Sequence, residues 1–148
     1  MKQQIEEKND IVLINPFYET TDSVRKTLSD GKADVDVSKY EKEQSLVIID
    51  SLKEYFGKRN DMIFKRNIAK HAKEKGKSGL FTLSDMGAYP FKGRKNDLID
   101  HELSLPTTFE NIAMKGFCLY HEKDFDRFSK EQRGKLIEHH GMAIKIKV

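Results

Sequence analysis

The chain has 148 residues, enough for one domain with a sizeable core. Its 27 basic and 24 acidic side chains leave a net charge of +3, a mixed surface without the basic stripe of a nucleic-acid binder, so no nucleic-acid role is expected. Its apolar runs, such as Ile11-Val12-Leu13-Ile14, fall far short of the roughly 20 residues that span a membrane. The start, Met1-Lys2-Gln3-Gln4-Ile5-Glu6-Glu7-Lys8, lacks the apolar centre of a signal peptide. A lone cysteine, Cys118, excludes an intrachain disulfide and suits a reducing compartment. A cytoplasmic protein without membrane association is the expectation.

Residues 1–10 read as a polar N-terminal segment. Ile11 to Ile14 then has the length of a buried strand, and Thr21-Asp22-Ser23 caps a helix that runs through Val24 and Leu28 and stops near Gly31. Leu46 to Ile49 is a second continuous apolar strand, of the kind covered on both faces. Asn60 or Asp61 caps a stronger helix, with Ile63, Phe64, Ile68 and Ala72 on one face and Gly76 at its end. Leu80 to Leu83 is a third strand, and the stretch from Arg94 to Asn111 is partly helical until Pro106 interrupts it. Phe117 to Tyr120 is a fourth strand. Ser129-Lys130-Glu131-Gln132 is a capping box opening a helix that carries Leu136 and Ile137 and closes at Gly141. Met142 to Ile146 alternates and reads as an edge or antiparallel strand. Strand and helix alternating in this order predict a single α/β domain over 1–148, a three-layer sandwich with a mainly parallel sheet of about five strands.

Open parallel sheets bind ligands outside the carboxyl ends of their strands. The segments that follow the apolar runs there are Asn15-Pro16-Phe17-Tyr18, Asp50 to Phe56, Ser84 to Tyr89 and His121-Glu122-Lys123-Asp124. Acids, aromatics and a histidine together suit a pocket with apolar walls and a few polar anchors. No G-x-x-x-x-G-K-[ST] or G-x-G-x-x-G is present, and Phe91-Lys92-Gly93-Arg94-Lys95 lacks the glycine spacing that cradles phosphate, so nucleoside triphosphate hydrolysis is disfavoured. A phosphoreceiver site is disfavoured too: Asp50 or Asp85 would serve as the aspartate, but Asn15-Pro16 stands where its acidic pair belongs.

His101-Glu102-Leu103-Ser104-Leu105-Pro106 matches the phosphoacceptor box of histidine kinases, yet the 42 residues after Pro106 are too few for the ATP-binding domain that follows such a box. A helix ending before proline is the simpler reading. His121, His139, His140 and Cys118 are metal-ligating types without zinc spacing. Along a strand Cys118 and Tyr120 share one face and His121 takes the other, while His139 and His140 diverge by about 100° on a helix. Solvent-facing histidines and no metal are expected. Cys118, in mid-strand, reads as a small buried side chain, and no G-x-S-x-G or other nucleophile–base pair is visible.

The block Gly116-Phe117-Cys118-Leu119-Tyr120-His121-Glu122-Lys123-Asp124-Phe125-Asp126-Arg127-Phe128, followed by Ser129 to Ile146, resembles the C-terminal part of MEDS domains, the sensory domains of methanogens, methylotrophs and the dichloromethane regulator. Their pattern there is a strand ending in cysteine-x-tyrosine, a turn bearing aspartate and arginine, and a helix ending in histidine. Leu46 to Phe56 resembles the family's strand and aspartate-x-x-x-x-tyrosine turn, and Leu80 to Tyr89 its next strand and acidic loop. The resemblance spans roughly residues 11 to 146. Family members usually begin with a further strand, bearing a histidine, and a helix; only about ten polar residues precede Ile11 here, so that unit and its histidine have no counterpart.

The resemblance implies a RecA- or KaiC-like sheet without a phosphate loop, and a non-catalytic domain that senses small molecules, apolar ones among them, in prokaryotic and especially archaeal signalling or transcriptional control. Its cysteine carries over to Cys118 and its aromatic to Tyr120. The expected ligand-binding residues are Asp50, Tyr55, Asp85, Tyr89, Cys118 and Tyr120, with no catalytic residue, no cofactor and no metal. A homodimer is expected to cover the exposed sheet edge, and a histidine kinase or transcription regulator is the expected partner. The alternative is an adaptor module, derived from the same fold, that docks on a kinase or regulator.

Overall fold

Alternate residues of the first strand face two different cores, as an interior strand of a sheet covered on both faces requires. The computed structural model describes residues 1–30, 33–58 and 61–146. In β1 (Asp10–Asn15), Ile11 and Leu13 pack on one side with Ile68, Ala69 and Ala72 of α5 (Asp61–Glu74). Val12 and Ile14 pack on the other side with Ile5 of α1 (Lys2–Glu6), Leu28 of α2 (Thr21–Asp30), and Val37 and Tyr40 of α3 (Val37–Lys42). The polar N-terminal segment is therefore not inert: it forms a short helix that buries Ile5. Period-two alternation between two apolar layers is what a strand covered on both faces requires.

Four further strands complete the sheet among the described residues: β2 (Leu46–Ile48), β3 (Gly79–Asp85), β4 (Thr108–Phe109) and β5 (Ile112–Leu119), in the spatial order β2-β1-β3-β5-β4. All neighbours are parallel except the β4–β5 hairpin. This is an α/β sheet flanked by helices, as the sequence predicts. The register sets Ser84 beside Cys118 and Thr82 beside Gly116. At that second pair a side chain on residue 116 would meet Thr82 O at 2.0 Å, so the two strands approach closely only because Gly116 has none.

The remaining helices gather at the carboxyl ends of the strands. They are α4 (Ser51–Phe56), α6 (Ala88–Phe91), α7 (Lys95–Ser104), α8 (Glu122–Phe125) and α9 (Lys130–His140). Met86, Tyr89, Leu98, Ile99, Phe128 and Leu136 make a third core there. The capping box of α9 is present in full: Gln132 N donates to Ser129 Oγ (3.1 Å) and Ser129 N to Gln132 Oε1 (3.0 Å), and Gly141 closes the helix in the left-handed conformation.

Several expectations are corrected. The cap of α2 is Thr20, whose Oγ1 accepts from Ser23 N, one residue before the expected set. Ile63 faces solvent, so the buried face of α5 runs through Phe64, Ile68, Ala69 and Ala72. The stretch beginning at Asp50 is a helix, not a turn, with Asp50 as its cap. The fourth strand starts at Ile112, five residues earlier than expected, and pairs with β4, which the sequence reading missed. Met142 to Ile146 is not a strand: no ladder partner holds it among the described residues, and Met142, Ile144 and Ile146 are exposed. The expected stop at Gly31 and cap at Asn60 lie outside the described residues.

On the face of the sheet opposite α5, the first core covers β2 and β1. Phe117 and Leu119 of β5 project from this same face and are 52% and 47% exposed, with Phe81 stacked against Phe117 at 6.1 Å between ring centroids. No helix among the described residues is long and apolar enough to cross a membrane.

Candidate functional site

In α7 the residues Leu98, Ile99 and Glu102 share the inner face, one helical turn apart, so the apolar contacts of the first two draw a carboxylate into the third core. Burying a carboxylate is costly unless donors surround it. Glu102 has three. Its Oε2 lies 3.2 Å from Cys118 Sγ and 3.0 Å from His140 Nε2, and its Oε1 accepts from the Tyr120 hydroxyl at 2.9 Å. The donors come from β5, from the residue just beyond it, and from the last turn of α9.

The electrostatics follow from that geometry. Burial alone pushes Glu102 up, but hydrogen bonds from His140, Cys118 and Tyr120 outweigh it and hold the carboxyl below the usual glutamate range. His140 is raised, first by its bond to Glu102. The Cys118 thiol and Tyr120 phenol are both pushed up, by burial and then by the Glu102 charge. At neutral pH the thiol is protonated and donates, so Cys118 in this state is not an activated nucleophile.

Aromatic rings wall the cluster. Tyr55 and Tyr89 stand 5.2 Å apart between centroids, His101 lies 5.3 Å from Tyr55 and 5.6 Å from Tyr89, and Phe56 packs edge-on against Tyr89. The Tyr55 hydroxyl points to Met86 Sδ at 3.8 Å. Beneath them Lys65 of α5 meets Glu54 of α4 at 3.3 Å, both side chains almost wholly buried, and Lys65 Nζ is 5.2 Å from the Tyr55 ring centre. The Lys65 charge partly offsets the upward push on the Cys118 thiol.

Of the six residues expected from sequence, the structure brings Tyr55, Tyr89, Cys118 and Tyr120 into or against one cluster. The two acids lie apart from it. Asp50 caps α4, accepting from Lys53 N at 3.1 Å. Asp85 gathers the backbone N–H groups of Gly87, Phe17 and Tyr18 at 3.0, 3.4 and 3.3 Å, and so knits the loops after β1 and β3 together. An acid at or just past a strand end sits among loop amides, which explains both placements.

Three members of the cluster were missed by sequence reasoning, Glu54, Lys65 and Glu102, and His140 was weighed there only as a metal-ligating type. The available signal for Glu102 was its spacing of four from Leu98, an acid on an apolar stripe. His101 is not displayed for phosphorylation; it is set among Tyr55 and Tyr89, and its helix ends at Ser104, before Pro106. His121 caps α8, accepting from Lys123 N through Nδ1. His140 is exposed as a residue, as expected, but its ring turns inward to reach Glu102, leaving 29% of the side chain exposed at the mouth of the cluster.

Open grooves among the described residues lie elsewhere. One of about 490 Å³ runs along Lys2, Glu6 and residues 34–40, and one of about 450 Å³ along Leu46, Phe64 and His71. No family model, curated protein or solved structure matches this chain.

Proposed function

We propose that this chain is a non-catalytic, small-molecule-binding sensory domain of cytoplasmic prokaryotic signalling or transcriptional control, in the manner that the resemblance to MEDS domains implies. One observation carries the reading: Tyr55 and Tyr89 pack into the same core at the carboxyl ends of the strands as Cys118 and Tyr120, which hydrogen-bond the buried carboxylate of Glu102. Aromatic walls suit an apolar ligand body, and the Glu102 network offers a polar end its partner. A ligand that takes one of the three donors of Glu102 would shift α7 or α9, and through them a downstream kinase or regulator. The chain is read as a homodimer.

Native mass spectrometry of freshly purified protein tests this, because it reports subunit number and bound mass together. A discrete extra mass lost on denaturation is expected, and it should fall in Cys118→Ser and Tyr120→Phe variants that still fold. Unchanged occupancy in both variants would remove the ligand from this site.

The adaptor reading keeps one observation in its favour. Phe117 and Leu119 form an exposed apolar strip on the sheet face opposite α5, continuous with Phe81. A protein that carries no small molecule, and loses self-association or partner binding in Phe117→Ser, would fit an adaptor better than a sensor.

A further inference from the structure

The geometry points to a transition-metal site formed by Glu102 Oε2, Cys118 Sγ and His140 Nε2, with Zn²⁺ as the ion it fits best. All three donor atoms lie within 4.8 Å of one another. They are brought from α7, β5 and α9, which is why no motif along the chain reveals them. A tetrahedral zinc ion with ordinary Zn–S, Zn–N and Zn–O bonds spaces its ligand atoms roughly 3.3–3.6 Å apart. The sulfur–oxygen and nitrogen–oxygen separations of 3.2 and 3.0 Å therefore need to open by only a few tenths of an ångström.

The donor set discriminates among metals. One thiolate, one imidazole and one carboxylate match Zn²⁺ and its neighbours in the first row, whereas Mg²⁺ and Ca²⁺ require mostly oxygen. The charge also balances. Zn²⁺, a carboxylate, a thiolate and a neutral imidazole sum to zero, so the loaded site carries no net charge. Binding forms the Zn–S bond as the S–H bond breaks and frees Nε2 of any proton it carries; each proton released leaves to solvent past the exposed side of His140. The wholly buried Glu102 is thereby left beside no uncompensated charge, which low-dielectric surroundings would penalise.

The surroundings supply the outer support such sites need. The Tyr120 hydroxyl holds Oε1, the oxygen that does not face the metal, and so fixes the carboxylate plane. Lys65, whose charge acts on Cys118, is matched by Glu54 at 3.3 Å. Three protein ligands leave one tetrahedral position, the arrangement of a zinc site that also takes an exogenous ligand. That gives the proposed sensor a means to recognise a small molecule with a thiol, amine or carboxylate end. The inference shares this cluster with the sensory reading and deepens it.

The test is titration of the chelator-treated full chain with Co²⁺ and then Zn²⁺. One ion per chain is expected, and Co²⁺ should produce a near-ultraviolet thiolate-to-metal charge-transfer band that Zn²⁺ abolishes. Because the chain has a single cysteine, such a band in the wild-type protein already assigns Cys118. Loss of even an outer-shell partner of a metal ligand lowers affinity about 10–100-fold, so Cys118→Ser and His140→Ala should each weaken Zn²⁺ by more than about tenfold. His139→Ala, one residue away and outside the cluster, should not. Absence of the band, or equal Zn²⁺ affinity in Cys118→Ser, overturns the site. A chain that retains a small-molecule mass but binds no metal loses this inference alone; one that binds Zn²⁺ but no organic ligand loses only the organic ligand.

Discussion

Glu102 and Cys118 stand 16 positions apart in the chain, yet a carboxylate oxygen of one lies 3.2 Å from the sulfur of the other, with the carboxylate wholly out of water. Three donors converge on that single charge, so its removal strands all of them. Glu102→Ala is expected to cost about 3–5 kcal/mol, the usual penalty for breaking a buried charged network by deleting one partner. Glu102→Gln keeps the shape but turns an amide N–H₂ towards one donor, and is expected to cost about 1–3 kcal/mol. Urea denaturation measures both. A loss below about 1 kcal/mol in the alanine variant would mean that water replaces the carboxylate.

The pair Lys65–Glu54 joins α4 to α5 beneath the aromatic wall, 3.3 Å apart and almost wholly buried. Lys65→Met retains the apolar stem and leaves the Glu54 charge without its cation, which is expected to destabilise by about 3 kcal/mol. Adding Glu54→Gln should restore most of the loss, since the desolvation of both charges is then relieved. A double-mutant cycle reads the coupling directly. Additive losses would show that the two side chains do not act as a pair.

Two glycines should respond in opposite directions. A methyl at Gly116 meets Thr82 O at 2.0 Å and Thr82 Oγ1 at 2.4 Å, so Gly116→Ala must push β3 and β5 apart and is expected to cost about 1–3 kcal/mol. Gly134, within α9, has nothing among the described residues within 4 Å of the position a methyl would take. Gly134→Ala is expected to stabilise by about 0.5–1 kcal/mol through helix propensity. Thermal melts of the two variants are sufficient. A stabilised Gly116→Ala would contradict the close approach of the strands.

The pH dependence has a sign that can be worked out at Asp85. Burial raises its carboxyl above the ordinary 3.8, against the lowering effect of the Gly87, Tyr18 and Phe17 amides, and the nearby Asp124 adds to the rise. A carboxyl raised in the folded state contributes stability that is complete below its unfolded value and is lost as pH climbs through its folded value. The stability advantage of the wild-type protein over Asp85→Asn should therefore be greatest near pH 4 and shrink towards neutrality. Denaturation midpoints across that range check it. An advantage that grows with pH would mean that the three amides outweigh burial.

The β4–β5 hairpin shows why part of the fold escaped the sequence. Its turn residues, Glu110 and Asn111, both have positive φ, at 49° and 65°. Such two-residue turns are announced by Asn-Gly or Asp-Gly, and Glu-Asn carries only half of that signal. The partly helical reading therefore ran on to Asn111. Met142 to Ile146 failed in the opposite way: its alternation is that of a strand, but alternation supplies no ladder partner.

The first strand and the helix ends were legible because they depend on neighbours in the chain. Ile11 to Ile14 alternate between two cores by the geometry of an extended backbone, and Ser129 and Gln132 cap α9 within one turn. Tyr55, Tyr89, Cys118 and Tyr120 could be placed near one another because parallel strands end on the same side of their sheet. The partners of Cys118 could not. A buried carboxylate is tolerated only where donors meet it, and those of Glu102 arrive from β5, Tyr120 and α9, positions that local pattern does not relate. Packing Leu98 and Ile99 into the third core brings Glu102 to that point, and the long-range fold alone decides what it finds there.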